Sequence, residues 1–233
     1  MEVCCGNIAS VRAAIEGGAD RVELCRDLEL DGLTPSREMI GEAVGLCHPA
    51  GVLVHVLIRS REGDFVYDDT EVKSMADEMG RAIAEGADGV VVGALTPGGD
   101  IDTAACRKWI DAVRQAVGDQ RRHVTFHRAF AVCDAPLGGR GQLARLGCNR
   151  ILTSGQQATA EQGIPLLRRL VEKAREISAK SGHELGILCG AGVNTHNAST
   201  ILKATGATEI HGSLRTGLVS DAEKIRLVKE AIS

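Results

Sequence analysis

The stretch Gly18-Ala19-Asp20-Arg21-Val22 decides the fold, because its pattern recurs three more times along the chain. The later copies are Gly86-Ala87-Asp88-Gly89-Val90, Gly147-Cys148-Asn149-Arg150-Ile151 and Gly206-Ala207-Thr208-Glu209-Ile210. Each copy follows a helical pattern and precedes a β-branched run, and its glycine suits the left-handed residue just past a helix end. The copies are roughly 60 to 70 residues apart, a distance that fits two βα units.

Eight strands separated by helical stretches complete this pattern. We predict strands at residues 2–5, 21–25, 52–58, 89–94, 123–128, 150–154, 185–189 and 209–213, and helices at 8–17, 36–46, 70–85 and 164–180 among others. Strands that alternate with helices imply a parallel sheet of the α/β class, and eight units most simply close into a (β/α)8 TIM barrel. An open doubly wound sheet is the alternative. No linker rich in Pro, Gly or Ser divides the chain, so we predict a single-domain barrel over residues 1–233.

Composition and charge argue against several classes of function. The net charge of -4 argues against a nucleic-acid partner or an anionic membrane surface. The most apolar run, residues 52–58, is too short to span a bilayer, and the N-terminal residues lack the pattern of a secretory signal. The chain has eight cysteines without a C-x-x-C spacing, so we expect reduced thiols in a cytoplasmic protein.

Two short segments share the pattern Glu-x-Cys, namely Glu2-Val3-Cys4 and Glu23-Leu24-Cys25. Side chains alternate between the two faces of a strand, so each Glu lies on the same face as its Cys. Two neighbouring strands are therefore expected to hold two carboxylates and two thiols against one another. We expect this pair to be part of a functional site at one mouth of the barrel.

The same alternation predicts that polar side chains of other strands also point into the barrel. These are His55 and Arg59 on the third strand, His127 on the fifth and His211 on the eighth. A polar interior held by internal ion pairs is one interpretation. A catalytic site is the other, because unpaired buried charges are costly and clusters of them tend to be functional. In that case Glu2 or Glu23 acts as the base, a histidine as the acid or carbonyl polariser, and Arg59 as an anion clamp.

Several loops at the carboxyl ends of the strands are candidates for binding an anion. The loop after the third strand carries Arg61 beside Arg59, and it is either a lid with an anion clamp or a salt-bridged surface loop. Barrel enzymes commonly bind phosphate in the loops after the last strands, through backbone N–H groups. The residues at these positions are Thr153, Ser154, Gly190, Gly192 and Ser213.

Seven strings of the chain closely resemble the CutC copper homeostasis family. They are Met1–Cys4, Gly18–Cys25, Gly32–Ser36, Gly63–Phe65, Thr125–Phe130, Leu152–Gly155 and Gly190–Gly192. The sharpest are Arg-Val-Glu-Leu-Cys at residues 21–25 and Thr-Phe-His-Arg-Ala-Phe at residues 125–130. The match runs from residue 1 to about residue 215, and the family fold is a (β/α)8 barrel, which agrees with the periodicity.

The resemblance implies a cytoplasmic protein linked to copper tolerance or trafficking, in which Cys4 and Cys25 match the two cysteines of the family's copper site. Cu(I) is a soft ion that favours thiolate ligands, so this pair is a plausible site. The chain departs from the family pattern at three positions: Ser60 and Glu62 replace a usual Pro and Gly, and Ala131 replaces a usual Asp.

Three hypotheses follow. The first is a copper homeostasis protein that binds Cu(I) through Cys4 and Cys25. The second is a barrel enzyme of the isomerase, epimerase or lyase class that acts on a small phosphorylated or anionic metabolite. The third is a catalytically silent scaffold. A homodimer or higher homo-oligomer is expected from the fold class alone.

Overall fold

The structure is a computed structural model that describes residues 1–117, 122–134 and 136–233. Eight parallel strands form a closed barrel in chain order. They are β1 (Glu2–Cys5), β2 (Arg21–Leu24), β3 (Leu53–Leu57), β4 (Gly89–Val92), β5 (His123–Phe126), β6 (Arg150–Thr153), β7 (Gly186–Cys189) and β8 (Glu209–Gly212). The predicted barrel is therefore confirmed, and the open doubly wound sheet is wrong.

A helix follows each strand and covers the outside of the barrel. The helices are α1 (Ile8–Glu16), α2 (Arg37–Cys47), α3 (Asp69–Ala84), α4 (Thr103–Val117), α5 (Pro136–Leu146), α6 (Ile164–Ser181), α7 (Ala198–Thr205) and α8 (Ala222–Ile232). The four helices predicted above by their residue ranges agree with α1, α2, α3 and α6 to within one residue at each end. A short antiparallel hairpin of β9 (Arg215–Thr216) and β10 (Val219–Ser220) separates β8 from α8.

The four recurring glycines do what the sequence pattern predicts. Gly18, Gly86, Gly147 and Gly206 have φ values of 78, 100, 106 and 74°, which lie in the left-handed region that favours glycine. Each of them comes between the end of a helix and the start of the next even-numbered strand. The chain thus reverses direction at the same point of alternate βα units.

The apolar core lies between the barrel and the helices, whereas much of the barrel interior is polar. Along β3, Val54 and Val56 are fully buried among the core residues beneath the helices, and His55 is buried on the opposite, inward face. Trp109 of α4 is also fully buried and donates its indole N–H to the carbonyl of Val72 at 2.9 Å. None of the helices in the described ranges is long and apolar enough to cross a membrane.

Candidate functional site inside the barrel

An ion-paired layer closes the amino-terminal half of the barrel. The guanidinium of Arg21 donates to Glu2 at 2.5 Å and to Glu209 at 2.6 Å, and Arg150 donates to Glu209 at 2.7 Å. Burial by itself would raise the pKa of Glu2, but Arg21 and then His211 outweigh it, and the pKa of Glu2 is well below its usual range. Glu2 is thus an ionised structural partner, which is the ion-paired interpretation of the polar interior.

Internal ion pairs were one interpretation of the polar interior, but the members Arg21, Arg150 and Glu209 were not named from the sequence, although a signal for them exists. Arg21 lies two residues before Glu23 on β2 and therefore points to the same side of the strand. Glu209 likewise has the parity of His211 on β8. Alternation alone could have placed these charges inside the barrel, but their pairing depends on how the eight strands are staggered.

His55 lies in the same layer and is fully buried. Its Nε2 is 3.3 Å from Nδ1 of His123, and its Nδ1 is 3.8 Å from a Glu2 oxygen. Burial, which the nearby Glu2 only partly offsets, lowers the pKa of His55 well below its usual value. The buried imidazole is thus part of the interior network with Glu2 and His123.

Above this layer, Cys4, Glu23 and His211 converge from three neighbouring strands. Each offers a ligand atom, and these three atoms lie within 4.8 Å of one another. The Nδ1 of His211 is 2.7 Å from a Glu2 oxygen and 3.4 Å from Oε2 of Glu23. Burial alone would lower the pKa of His211, but its contacts with Cys4, Glu2 and Glu23 raise it well above the usual value.

Glu23 is the carboxylate of this cluster that changes its charge near neutral pH. Its Oε2 is buried and has no hydrogen-bond partner in the described part of the chain. Burial raises the pKa of Glu23 to about 7, since the opposing effect of His211 is the smaller one. Two carboxylates that are similar in sequence thus differ in charge, because Arg21 pairs directly with only one of them.

The two thiols predicted to meet do so. Sγ of Cys4 lies 3.8 Å from Sγ of Cys25; Cys25 is fully buried and Cys4 is partly accessible. The pairing of β1 with β2 sets Cys4 opposite Glu23, so Cys25 lies one diagonal step further along. The hydrogen bond with Cys25 and then burial raise the pKa of Cys4 well above its usual value.

His127 is buried just beyond the end of β5, and its N–H continues the strand pairing to the Val92 carbonyl at 2.8 Å. Burial first, and then the positive charges of Arg59 and Arg128, lower the pKa of His127 to about 3. A Cβ on Gly93 would lie 2.5 Å from the imidazole, so the ring packs directly against the backbone of β4. His127 is therefore a fixed, neutral imidazole.

The two arginines of the loop after β3 are used to hold that loop. Arg59 is almost fully buried, and its guanidinium donates to the carbonyls of Leu30, Gly32 and Gly63. Arg61 donates to Glu71 at 2.6 Å and to Asp64 at 3.0 Å. These contacts match the salt-bridged loop rather than the anion clamp.

The residues predicted to bind an anion also have structural partners. Thr153 Oγ1 accepts the N–H of Gly155, and the hydroxyl of Ser154 donates to the Gln157 carbonyl at 2.6 Å. The Gly192 carbonyl accepts from the side chains of Asn194 and Asn197. A Cβ on Gly190 would lie 2.7 Å from the side chain of Leu152, so a glycine is needed there for close packing, while Ser213 is half-buried beyond β8.

Comparisons with known proteins assign the chain to a family. The CutC family model matches residues 1–216. The family protein CutC of Pasteurella multocida is 44% identical over 211 residues, which cover 91% of this chain and 80% of that protein. The family protein CutC of Bacteroides thetaiotaomicron is 44% identical over 221 residues, covering 95% of this chain and 83% of that protein.

A solved structure from Streptococcus agalactiae, provisionally described as a copper homeostasis protein CutC, superposes with a TM-score of 0.82 at 33% identity. The superposition covers 91% of this chain and 97% of the Streptococcus agalactiae chain. The sequence match and the structural match thus extend over nearly the whole barrel, including β1, β2 and β8, which carry the Cys4, Glu23 and His211 cluster. This chain belongs to the CutC family.

Proposed function

We propose that this protein acts in copper homeostasis by binding one Cu(I) ion between Cys4 and Cys25, with His211 as a third ligand. The observation that carries the proposal is the 3.8 Å separation of the two sulfur atoms inside the barrel. Thiolate and imidazole ligands suit a soft monovalent copper ion, whereas carboxylates suit harder ions. The description of the CutC structure from Streptococcus agalactiae as a copper homeostasis protein supports the same role.

The distances fit a bent, three-coordinate arrangement better than a linear one. With metal–sulfur bonds of about 2.3 Å, as in zinc thiolates, a linear site needs sulfur atoms about 4.6 Å apart and a trigonal site about 4.0 Å. The observed 3.8 Å is close to the trigonal value. His211 is the candidate nitrogen ligand beside Cys4, and its raised pKa means that its imidazole must lose a proton before it binds the ion. Glu23 is the alternative oxygen ligand.

The same pair is poorly placed for a disulfide. Cys4 and Cys25 are diagonal neighbours on adjacent parallel strands. The spacing between the strands and the rise of two residues together put their Cα atoms about 8 Å apart. Disulfides require Cα atoms closer than about 7 Å. A bridging ion satisfies the two converging sulfur atoms without moving the strands, and none of the eight cysteines, each within the described ranges, forms a disulfide. We accordingly keep the cytoplasm as the proposed compartment.

Copper binding has to displace protons from this cluster. Both thiols must lose a proton before they ligate the ion, and the raised pKa of Cys4 makes this step unfavourable at low pH. Glu23 lies beside Cys4 and is close to half-ionised near pH 7, so it can accept one of these protons. Apparent Cu(I) affinity should therefore rise steeply with pH.

The test is an anaerobic Cu(I) titration against a chromophoric chelator. Wild type should bind one equivalent, and Cys4→Ser, Cys25→Ser and the double variant should each bind at least 100-fold more weakly, since a two-thiolate site cannot form. Cys189→Ala is the matched control, because Cys189 is also buried on a barrel strand but lies among the outer core residues. A wild type that cannot compete with the chelator, or a double serine variant that still binds one equivalent, contradicts the proposal.

A second candidate function is an enzyme of the isomerase, epimerase or lyase class that acts on a small phosphorylated or anionic metabolite. The observation that favours it is Glu23, a buried carboxylate whose Oε2 accepts no hydrogen bond from the described residues and whose pKa of about 7 suits a general base. The test is exchange of carbon-bound protons of dihydroxyacetone phosphate with D2O. Exchange that is lost in Glu23→Gln but retained in Cys25→Ser supports the enzyme, whereas no exchange by wild type contradicts it for this class of substrate.

A further inference from the structure

Two polar side chains, Thr125 on the inward face of β5 and His127 just beyond the end of the strand, lack partners that their burial requires. Thr125 is fully buried and His127 is 2% exposed. Neither Oγ1 of Thr125 nor Nε2 of His127 has a hydrogen-bond partner in the described part of the chain. Buried polar atoms are nearly always paired, so two unpaired atoms two residues apart on one strand face indicate a missing acceptor or donor.

The hydrogen bonds of His127 determine which group it offers. Its Nδ1 accepts the backbone N–H of Ala129 at 3.1 Å, so the ring proton resides on Nε2. Because the pKa of His127 is far below neutrality, Nε2–H is an uncharged donor over the whole physiological range. The threonine hydroxyl can donate as well, and both donors therefore seek an oxygen acceptor.

The position and the rigidity of the ring suit a ligand-binding role. An inward Cβ on Gly93 would collide with the imidazole, so the ring projects into the barrel and not between the barrel and the helices. Phe65, from the loop that Arg59 holds, packs on the ring at a centroid distance of 5.0 Å. The guanidinium of Arg59 lies 5.4 Å from the centre of the Phe65 ring. The donor is thus fixed in place by packing on two sides before any ligand arrives.

We propose that Thr125 and His127 bind the carbonyl or carboxylate oxygen of a small organic anion inside the carboxyl-terminal half of the barrel. A neutral imidazole polarises a carbonyl by hydrogen bonding without transferring its proton, which suits chemistry that develops negative charge on that oxygen. The inference deepens the second candidate function and rests on it, and it is independent of copper.

The experiment uses full-length protein labelled with 15N-histidine and two probes, pyruvate and acetate. Nε2 of His127 should be protonated from pH 5 to 9, and its resonance should shift in a saturable way as pyruvate is added. Binding of both probes identifies a carboxylate site, and binding of pyruvate alone identifies a carbonyl site. No saturable shift with either probe at 50 mM, or a crystal structure soaked in pyruvate with only water within 3.2 Å of Nε2, overturns the proposal.

Thr125→Val gives the second readout and Thr153→Val its matched control. Both threonines are buried on barrel strands, but Thr153 Oγ1 has a partner in the Gly155 N–H, whereas Thr125 Oγ1 has none. We expect Thr125→Val to keep or raise Tm and to weaken pyruvate binding at least tenfold. We expect Thr153→Val to lower Tm. A Thr125→Val variant that binds pyruvate as tightly as wild type contradicts the role of the hydroxyl. Loss of pyruvate binding tests the site at Thr125 and His127, whereas loss of proton exchange tests Glu23, so the two failures can be distinguished.

Discussion

Replacing Arg21 with methionine should remove the main support of the buried carboxylates. Arg21 donates to Glu2 at 2.5 Å and to Glu209 at 2.6 Å, and its side chain is only 7% exposed. Removal of one member of a buried pair costs roughly 3–5 kcal/mol, because the other charge is left without compensation. Glu209 retains Arg150 and Glu2 retains His211, so we expect a loss of about 3 kcal/mol in the free energy of unfolding.

The assay is urea denaturation followed by the fluorescence of Trp109, the single tryptophan of the chain. The double variant Arg21→Met/Glu2→Gln should regain at least half of the loss, since the uncompensated charge is gone and the glutamine oxygen can still accept from His211. Arg226→Met is the control, because the ion pairs of Arg226 with Glu223 and Glu230 are exposed and should contribute little.

The pH dependence gives an independent check on the cause. The pKa of Glu2 is lowered by folding, so its contribution to stability is present above its unfolded value of about 4.5 and is lost as the pH falls through the folded value. Without Arg21, ionised Glu2 stabilises the folded state less at neutral pH. The loss in the free energy of unfolding caused by Arg21→Met should therefore be smaller at pH 4 than at pH 7. A variant within 1 kcal/mol of wild type at pH 7, or a double variant less stable than Arg21→Met, would refute the reasoning.

Three further outcomes are expected. Gly93→Ala should lower Tm, because the new Cβ would lie 2.5 Å from the imidazole of His127 and the close packing inside the barrel leaves no room for it. Thermal unfolding monitored by circular dichroism measures the change in Tm. The pKa of Glu23 is raised to about 7 in the folded state, so between pH 4.5 and 7 the folded protein binds more protons than the unfolded chain. The free energy of unfolding therefore falls as the pH rises through that window. Glu23→Gln should remove this fall, by up to about 3 kcal/mol, from the free energy measured by urea denaturation. Trp109→Phe should lower the free energy of unfolding by roughly 1 kcal/mol for the lost hydrogen bond to the Val72 carbonyl, plus a further loss from poorer packing. Urea denaturation monitored by circular dichroism checks this.

Much of the candidate site follows from period-two alternation, which is a local property. Cys4, Glu23 and Cys25 were placed on the inward faces of neighbouring strands from the sequence, and their atoms do converge. His211 was predicted to point inward, but its contact with Glu2 depends on closure of the barrel, which brings β8 beside β1.

The assignment of roles among like residues could not be made from the sequence. Glu2 and Glu23 occupy equivalent places in two Glu-x-Cys segments, yet the pKa of one is lowered and that of the other is raised. The difference arises because Arg21 pairs with Glu2, whereas Oε2 of Glu23 is buried without a hydrogen bond from the residues that the structure describes. Arg59 shows the same limit, since its position in the sequence suits an anion clamp but backbone carbonyls accept from both terminal nitrogens of its guanidinium.

The sequence by itself determined the eightfold βα alternation, the left-handed glycines after the helices and the inward parity of the polar residues, because each depends on neighbours within a few positions of the chain. The tertiary structure alone decided which inward charges pair and which thiols meet. It also decided which buried polar atoms, such as Nε2 of His127, are left without a partner. The physical reason is that strand stagger and barrel closure set distances between residues as far apart in the chain as Glu2 and His211, and those distances determine desolvation and charge pairing.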